Sequence, residues 1–160
     1  MFNADQYFSK IVETNKLLQD NNFKFKRVSG VKGLEEVVRD MRRDGAMFAL
    51  DDSTDGVVVK GRSNPVFKRV FVCYIFKVAR LNNMEDYRNN LELCREIFRQ
   101  VMSKMIHDAN NYLVQQINLN VDRVHFKEME GYQLNGATGV YFVIDVDEPT
   151  SLCYNKDLWK

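Results

Sequence analysis

Residue types that usually mark a site or a cross-link are scarce in this chain. Its 160 residues hold two prolines, two histidines and three cysteines. The cysteines, Cys73, Cys94 and Cys153, are odd in number and form no Cys-x-x-Cys pair. That pattern argues against a disulfide framework and fits a reducing, intracellular setting. Cys73 falls in an apolar strand-like run and Cys94 on an apolar helix face, where cysteine acts as a small buried hydrophobe. His107 and His125 have no Cys, His or Asp partner at ligand spacing, so neither a metal centre nor a catalytic triad is expected on them. Charge of one sign is missing as well. Lys and Arg total 23 against 22 Asp and Glu, a net charge of +1, which argues against generalised binding to nucleic acid or anionic membrane. No apolar run approaches the roughly 20 residues of a membrane-spanning helix, and Met1–Gln6 has no basic stretch leading into an apolar core, so a soluble chain without a signal peptide is expected. Gly-x-Ser-x-Gly, phosphate-binding glycine loops and dinucleotide fingerprints are all absent. No catalytic, cofactor-binding or metal residue is therefore expected.

What is present is framework. Hydrophobic residues make up 45% and charged residues 28%, the composition of a globular domain, and no linker or repeat divides residues 1–160. Residues 1–45 read as a helix–strand–helix segment. Phe8, Ile11, Val12 and Leu18 fall near one face of a helix over Asp5–Asp20, capped by Asn3 or Asp5 and stopped by Asn21-Asn22. Phe23–Val28 alternates apolar and basic residues like a half-buried edge strand. Leu34, Val37, Val38 and Met41 define a second short helix that ends near Asp44-Gly45. Residues 46–147 read as a sheet-and-helix core. Strands are predicted over Ala46–Leu50 and Gly56–Arg62, with an acidic hairpin turn between them. Phe67–Arg80 follows as the central strand, too β-branched and aromatic for a helix and too continuous for an exposed strand. Asn82-Asn83 caps a helix over Met84–Asn110, about 39 Å long at 1.5 Å per residue, with Tyr87, Leu91, Cys94, Phe98, Val101 and Met105 along one stripe. After an irregular segment (Asn111–Val121), Asp122–Glu130 and Thr138–Asp147 form a hairpin through Leu134-Asn135-Gly136, with Val140, Phe142, Ile144 and Val146 facing one way. Residues 148–160 form a tail whose Leu152, Tyr154, Leu158 and Trp159 are apolar enough to dock. The predicted class is α+β: a mainly antiparallel sheet, one long helix packed across it, and short amino-terminal helices. The sheet's other face must also be covered. It shows Tyr74 and Phe76, or Val72 and Cys73, depending on register, and an uncovered apolar face usually marks an interface.

Three patterns carry some chemistry. Asp51-Asp52-Ser53-Thr54-Asp55-Gly56 copies the first half of a calcium loop, but position 12 is Arg62 instead of a bidentate Glu, and the flanks read as strands. Asp145 and Asp147 project from one side of a strand beside Glu148 and could in principle hold a divalent metal, but a metal-dependent nuclease needs a lysine near such a pair and no Glu-x-Lys continues from that strand. Lys60, Arg62, Lys68 and Arg69 surround the turn Ser63-Asn64-Pro65 and make one hairpin tip basic. Arg39, Arg42 and Arg43 end the second helix, where cations complement its dipole.

The order of elements from Ala46 onward, together with the amino-terminal helix, resembles the tail terminator and tail completion proteins of long-tailed bacteriophages. The resemblance lies in pattern: the strands around Asp51–Asp55, the strand Val70–Val78, the helix Asp86–Ile106 and the final strand Gly139-Val140-Tyr141-Phe142-Val143-Ile144-Asp145. It covers roughly two thirds of the chain. It implies a structural virion protein that assembles with itself into a ring, commonly a hexamer, at the head–tail junction. Such a ring would form in the bacterial host cytoplasm and dock on tail tube or connector proteins, with no cofactor and no membrane partner. On this view Lys60, Arg62, Lys68 and Arg69 would face the lumen and touch passing DNA, while Val70, Val72, Tyr74 and Phe76 would form inter-subunit sheet. The rival readings are a monomeric protein-binding adaptor and a small metal-dependent nuclease using Asp145 and Asp147.

Overall fold

Asparagine side chains set most of the helix starts. The computed structural model describes residues 2–41, 45–51, 53, 55–60, 65–80, 83–111, 119–129, 136–150 and 155–159. Helix α1 (Ala4–Thr14) begins where the Asn3 side chain accepts from the Gln6 amide. It ends at Asn15, which caps α2 (Lys16–Asp20) through the Leu18 amide at 3.0 Å. The single helix expected over Asp5–Asp20 is therefore two, because an asparagine that binds a nearby amide offers the backbone an alternative to continuing the helix. Strand β1 (Lys24–Val28) follows, then α3 (Gly30–Asp40). Helix α3 starts four residues before Leu34 and stops at Asp40, short of the expected Asp44-Gly45, with Met41 extended as its C-cap. Strands β2 (Ala46–Asp51), β3 (Gly56–Lys60) and β4 (Pro65–Val78) lead to α4 (Met84–Asn110), capped by Asn83 as the sequence indicates. Strands β5 (Leu119–Met129) and β6 (Ala137–Pro149) and a short 3-10 turn (Lys156–Leu158) complete the order. Arg42, Arg43 and Asp44, the Ser63-Asn64 turn, Leu134, Asn135, Leu152, Cys153 and Tyr154 lie outside the described residues.

The class is α+β. The strands form one sheet in the order β1-β2-β4-β6-β5, with β3 also against β4. Among the described residues only the β1–β2 pair is parallel. Strand β4 is central, as its continuous apolar run predicts: β6 pairs with it from Val66 to Val78 on one side, and β2 and β3 share the other. Among the described residues β2 and β3 do not pair with each other, so they do not form the hairpin expected across the acidic turn. Both strands run antiparallel to β4 along the same edge, β2 opposite Cys73–Lys77 and β3 opposite Pro65–Arg69. Asp51 and Gly56 therefore stand on either side of an interruption along one edge of β4, where Ser53 and Asp55 are not in strand and the Asp55 carbonyl still accepts from the Val70 amide at 2.9 Å.

Strand alternation sends Phe71, Cys73 and Ile75 of β4 and Val140, Phe142, Ile144 and Val146 of β6 to one face, where α1 and α4 cover them. Phe8 of α1 stacks on Phe48 at 5.7 Å and meets Phe142 edge-on at 6.4 Å. Burying one such side chain contributes about 1.5–3 kcal/mol. On the opposite face α3 lays Leu34 and Val38 over Val28, Met47, Ala49 and Phe76. This corrects the expectation of an open second face: α3 closes the part beside β1 and β2. Phe76 is fully buried there, which leaves nothing of this side chain for another subunit to cover.

Candidate functional site

The residues singled out for chemistry meet at one end of the sheet, and most of them neutralise each other. Lys68 and Arg69 are consecutive in β4, so their side chains leave on opposite faces. On the α3 side Lys68 lies 3.6 Å from the Asp147 carboxylate. On the α4 side Arg69 lies 3.5 Å from Glu148 and sits over the Phe71 ring at 4.6 Å. Glu148 is buried and also accepts from the Phe2 amide. The supposed basic tip and the supposed acidic metal site are thus neighbouring strands whose charges pair across the β4–β6 ladder. Lys60, opposite Pro65, is exposed, and Arg62 lies outside the described residues. Asp145 stands opposite Val70 and is exposed. No group of three or more potential metal ligands occurs among the described residues. His125 lies opposite Val143 on β5 and His107 beside Asn111 on α4, and both are exposed.

Three buried polar side chains each tie down an element, and two of them, Asn90 and Asp108, were not singled out from the sequence. The Asp51 carboxylate accepts at 3.0 Å from the Gly30 amide, the first residue of α3, and also from the Ser53 amide and hydroxyl. Ser29 makes no side-chain cap of its own, so a residue 21 positions away supplies the acceptor the helix start lacks. The first carboxylate of the apparent calcium loop is a structural anchor. Asn90 donates to the Val78 carbonyl at 3.2 Å. Asp108, fully buried, accepts from the Tyr7 hydroxyl at 2.8 Å and pairs with Lys104. Burial, with the Asp108 contact second, pushes the Tyr7 hydroxyl well above its ordinary range. Asn90 and Asp108 are in phase with the buried stripe Cys94, Ile97, Val101 and Met105. That phase was the available signal.

Apolar side chains also reach the surface at this end of the sheet. Val57, Val58 and Val59 of β3 are 58%, 54% and 39% exposed. Val57 and Val59 point to the face that α3 leaves open, where Val66, Val70 and Val72 of β4 and Val143 of β6 are only half-buried, while Val58, opposite Phe67, points to the α4 side. Tyr74 and Tyr141, with rings 5.8 Å apart, mark where the cover of α3 ends. Of the four residues proposed for inter-subunit sheet, Val70, Val72 and Tyr74 therefore keep surface and Phe76 does not. The exposed valines of β3 were missed because Gly56–Lys60 is too short to show on which side its apolar residues lie. No protein-family model matches the sequence, and no curated protein matches it. No described helix is long and apolar enough to cross a membrane.

Proposed function

We propose that this chain is a structural subunit that works by assembling with itself, as a ring component of the tail–neck junction of a long-tailed bacteriophage. The observation that carries the self-assembly part is the apolar surface on the face that α3 leaves open, made by Val57 and Val59 of β3 and Val66, Val70 and Val72 of β4 around the paired Lys68. It lies at the end of the sheet where charged groups are paired within the chain. Exposed apolar surface of this kind is the mark of a protein–protein contact. The phage assignment rests on the order of elements alone, now including a strand β6 that begins at Ala137 and carries Gly139 ahead of its buried run. In this role the chain catalyses nothing, and its partners are its own copies and the tail or connector proteins against which the ring docks.

Light scattering on the purified protein, together with negative-stain images, tests the reading. A defined assembly several times the mass of one chain, imaged as an annulus, is the expected result. A strictly monomeric species at micromolar concentration overturns it. The same apolar surface also suits an adaptor that binds one different protein. A monomer that captures a single heterologous partner, and loses it when Val59 is replaced by aspartate, would establish that role instead.

A further inference from the structure

Three strands border the sheet, and two of them are protected. Strand β1 presents Lys24, Lys26 and Arg27. Strand β5 presents Asp122, Arg123, Lys127 and Glu128, and its register breaks between Asn120 and His125. Edge charges and bulges are the usual devices that stop a sheet from growing. Strand β3 has no bulge and only one charge, Lys60 at its end. Its sequence is Gly56-Val57-Val58-Val59-Lys60, in unbroken register with β4, and among the described residues it pairs with β4 alone.

The hydrogen-bonding direction of β3 is fixed. The Val70 amide donates to the Asp55 carbonyl, and in an antiparallel ladder bonded and non-bonded pairs alternate. Val57 and Val59 therefore bond to β4, while Gly56, Val58 and Lys60 turn their amides and carbonyls away from it. Pro65, which has no N–H, stands opposite Lys60, a pair that exchanges no bonds in this phase.

We propose that the free edge of β3 pairs antiparallel with β3 of a second copy, in the register that sets Val58 opposite the partner's Val58. That register joins Gly56 to the partner's Lys60 and makes about six inter-chain hydrogen bonds, two for each bonded pair. It also sets Val57 against the partner's Val59. Charge selects the direction. A parallel pair in equal register would bring Lys60 beside the partner's Lys60, whereas the antiparallel pair places it opposite the partner's Gly56, next to the partner's Asp55. The occupant is a second copy because the strand is its own complement. The β1 and β5 edges of another copy carry the charges that discourage pairing. Five residues a side fall short of the roughly 1,200 Å² at which standard interfaces begin, so the pair is concentration-dependent. The proposal rests on the self-assembly reading above and deepens it. A two-fold contact joins subunits in pairs, so any ring built through it contains an even number of chains.

The test uses the full chain with Cys153 replaced by serine. Val58→Cys places two thiols on residues with Cα atoms about 5.5 Å apart, within disulfide reach. Val57→Cys leaves its two copies on a diagonal of about 7–8 Å. Mild oxidation is expected to give a disulfide-linked dimer from Val58→Cys and at least tenfold less from Val57→Cys. Val58→Pro removes an amide that points away from β4 and is expected to abolish the pair in light scattering without changing the far-ultraviolet circular dichroism. Equal cross-linking of both cysteine variants, or none, overturns the register. Assemblies that persist unchanged in Val58→Pro sink the β3 pairing while leaving self-assembly standing. A parent chain that stays monomeric throughout removes both.

Discussion

Gly139 is the residue with least freedom to change. It lies in β6 opposite Phe76, and a Cβ there would stand 1.9 Å from the Ile75 carbonyl oxygen and 2.7 Å from the Phe76 Cα. Gly139→Ala must push β4 and β6 apart in the middle of the sheet. A loss of about 1–3 kcal/mol or more is expected in urea unfolding, the range of overpacked cores. Gly33 is the control: a Cβ there finds no atom closer than 3.7 Å and the site is helical, so Gly33→Ala should stabilise by up to about 1 kcal/mol. A second expectation concerns alkali. Burial pushes the Cys94 thiol from 9.0 to about 12, and it raises Cys73, Tyr74 and Tyr7 as well. The unfolded chain gives up these protons first, so above pH 9 the native state holds more protons than the unfolded one and stability falls with pH. Unfolding free energy should be level up to about pH 8.5 and then decline, and Cys94→Ala should make the decline between pH 9 and 12 shallower. At this scale the sequence was half legible. Apolar residues such as Phe142 and Cys94 announced their burial by phase and character together, whereas Asn90 and Asp108 shared the phase but were masked by their polarity, their partners lying elsewhere in the chain.

Among the elements, α3 owes most to a distant residue. Its first amide is held by Asp51 at the end of β2, so one carboxylate fixes both the helix start and the interruption before β3. Asp51→Ala is expected to lower stability by about 1–3 kcal/mol, the penalty for stripping partners from buried donors, and to speed amide exchange at the start of α3. Asp51→Asn should recover most of the loss, because the cap needs an acceptor more than a charge. Calcium ions should leave the unfolding midpoint where it is. The long helix α4 was readable in full, since its Asn83 cap and its apolar stripe are both local. The break at Asn15 was not, because a cap in the middle of a periodic stretch looks like one more polar position. The β2–β3 interruption read as a turn because Asp, Ser and Gly serve both purposes, and only pairing with β4 tells them apart.

For the whole molecule, the class and the central place of β4 were legible from the length and apolarity of one run, and the strand order was not. Sheet order depends on contacts between distant segments, and no local pattern states that β1 runs parallel to β2 or that α3 crosses to the second face. That crossing decides how much surface is left for assembly. Val72 lies beyond the cover of α3 and stays half-buried. Val72→Lys is expected to keep a folded subunit, at a loss of no more than about 1–2 kcal/mol, while lowering the assembled mass seen by light scattering. Unchanged assembly would remove this strip from the contact. One further consequence follows from the way Phe8 reaches Phe48 and Phe142 while the Phe2 amide reaches Glu148, 146 residues away. The first helix has no complete seat until the last strand exists. On the ribosome α1 must wait, its aromatic side chains unsheltered, until residues beyond 148 have cleared the exit tunnel. Nascent chains arrested before β6 should be digested by protease, and released ones should resist it.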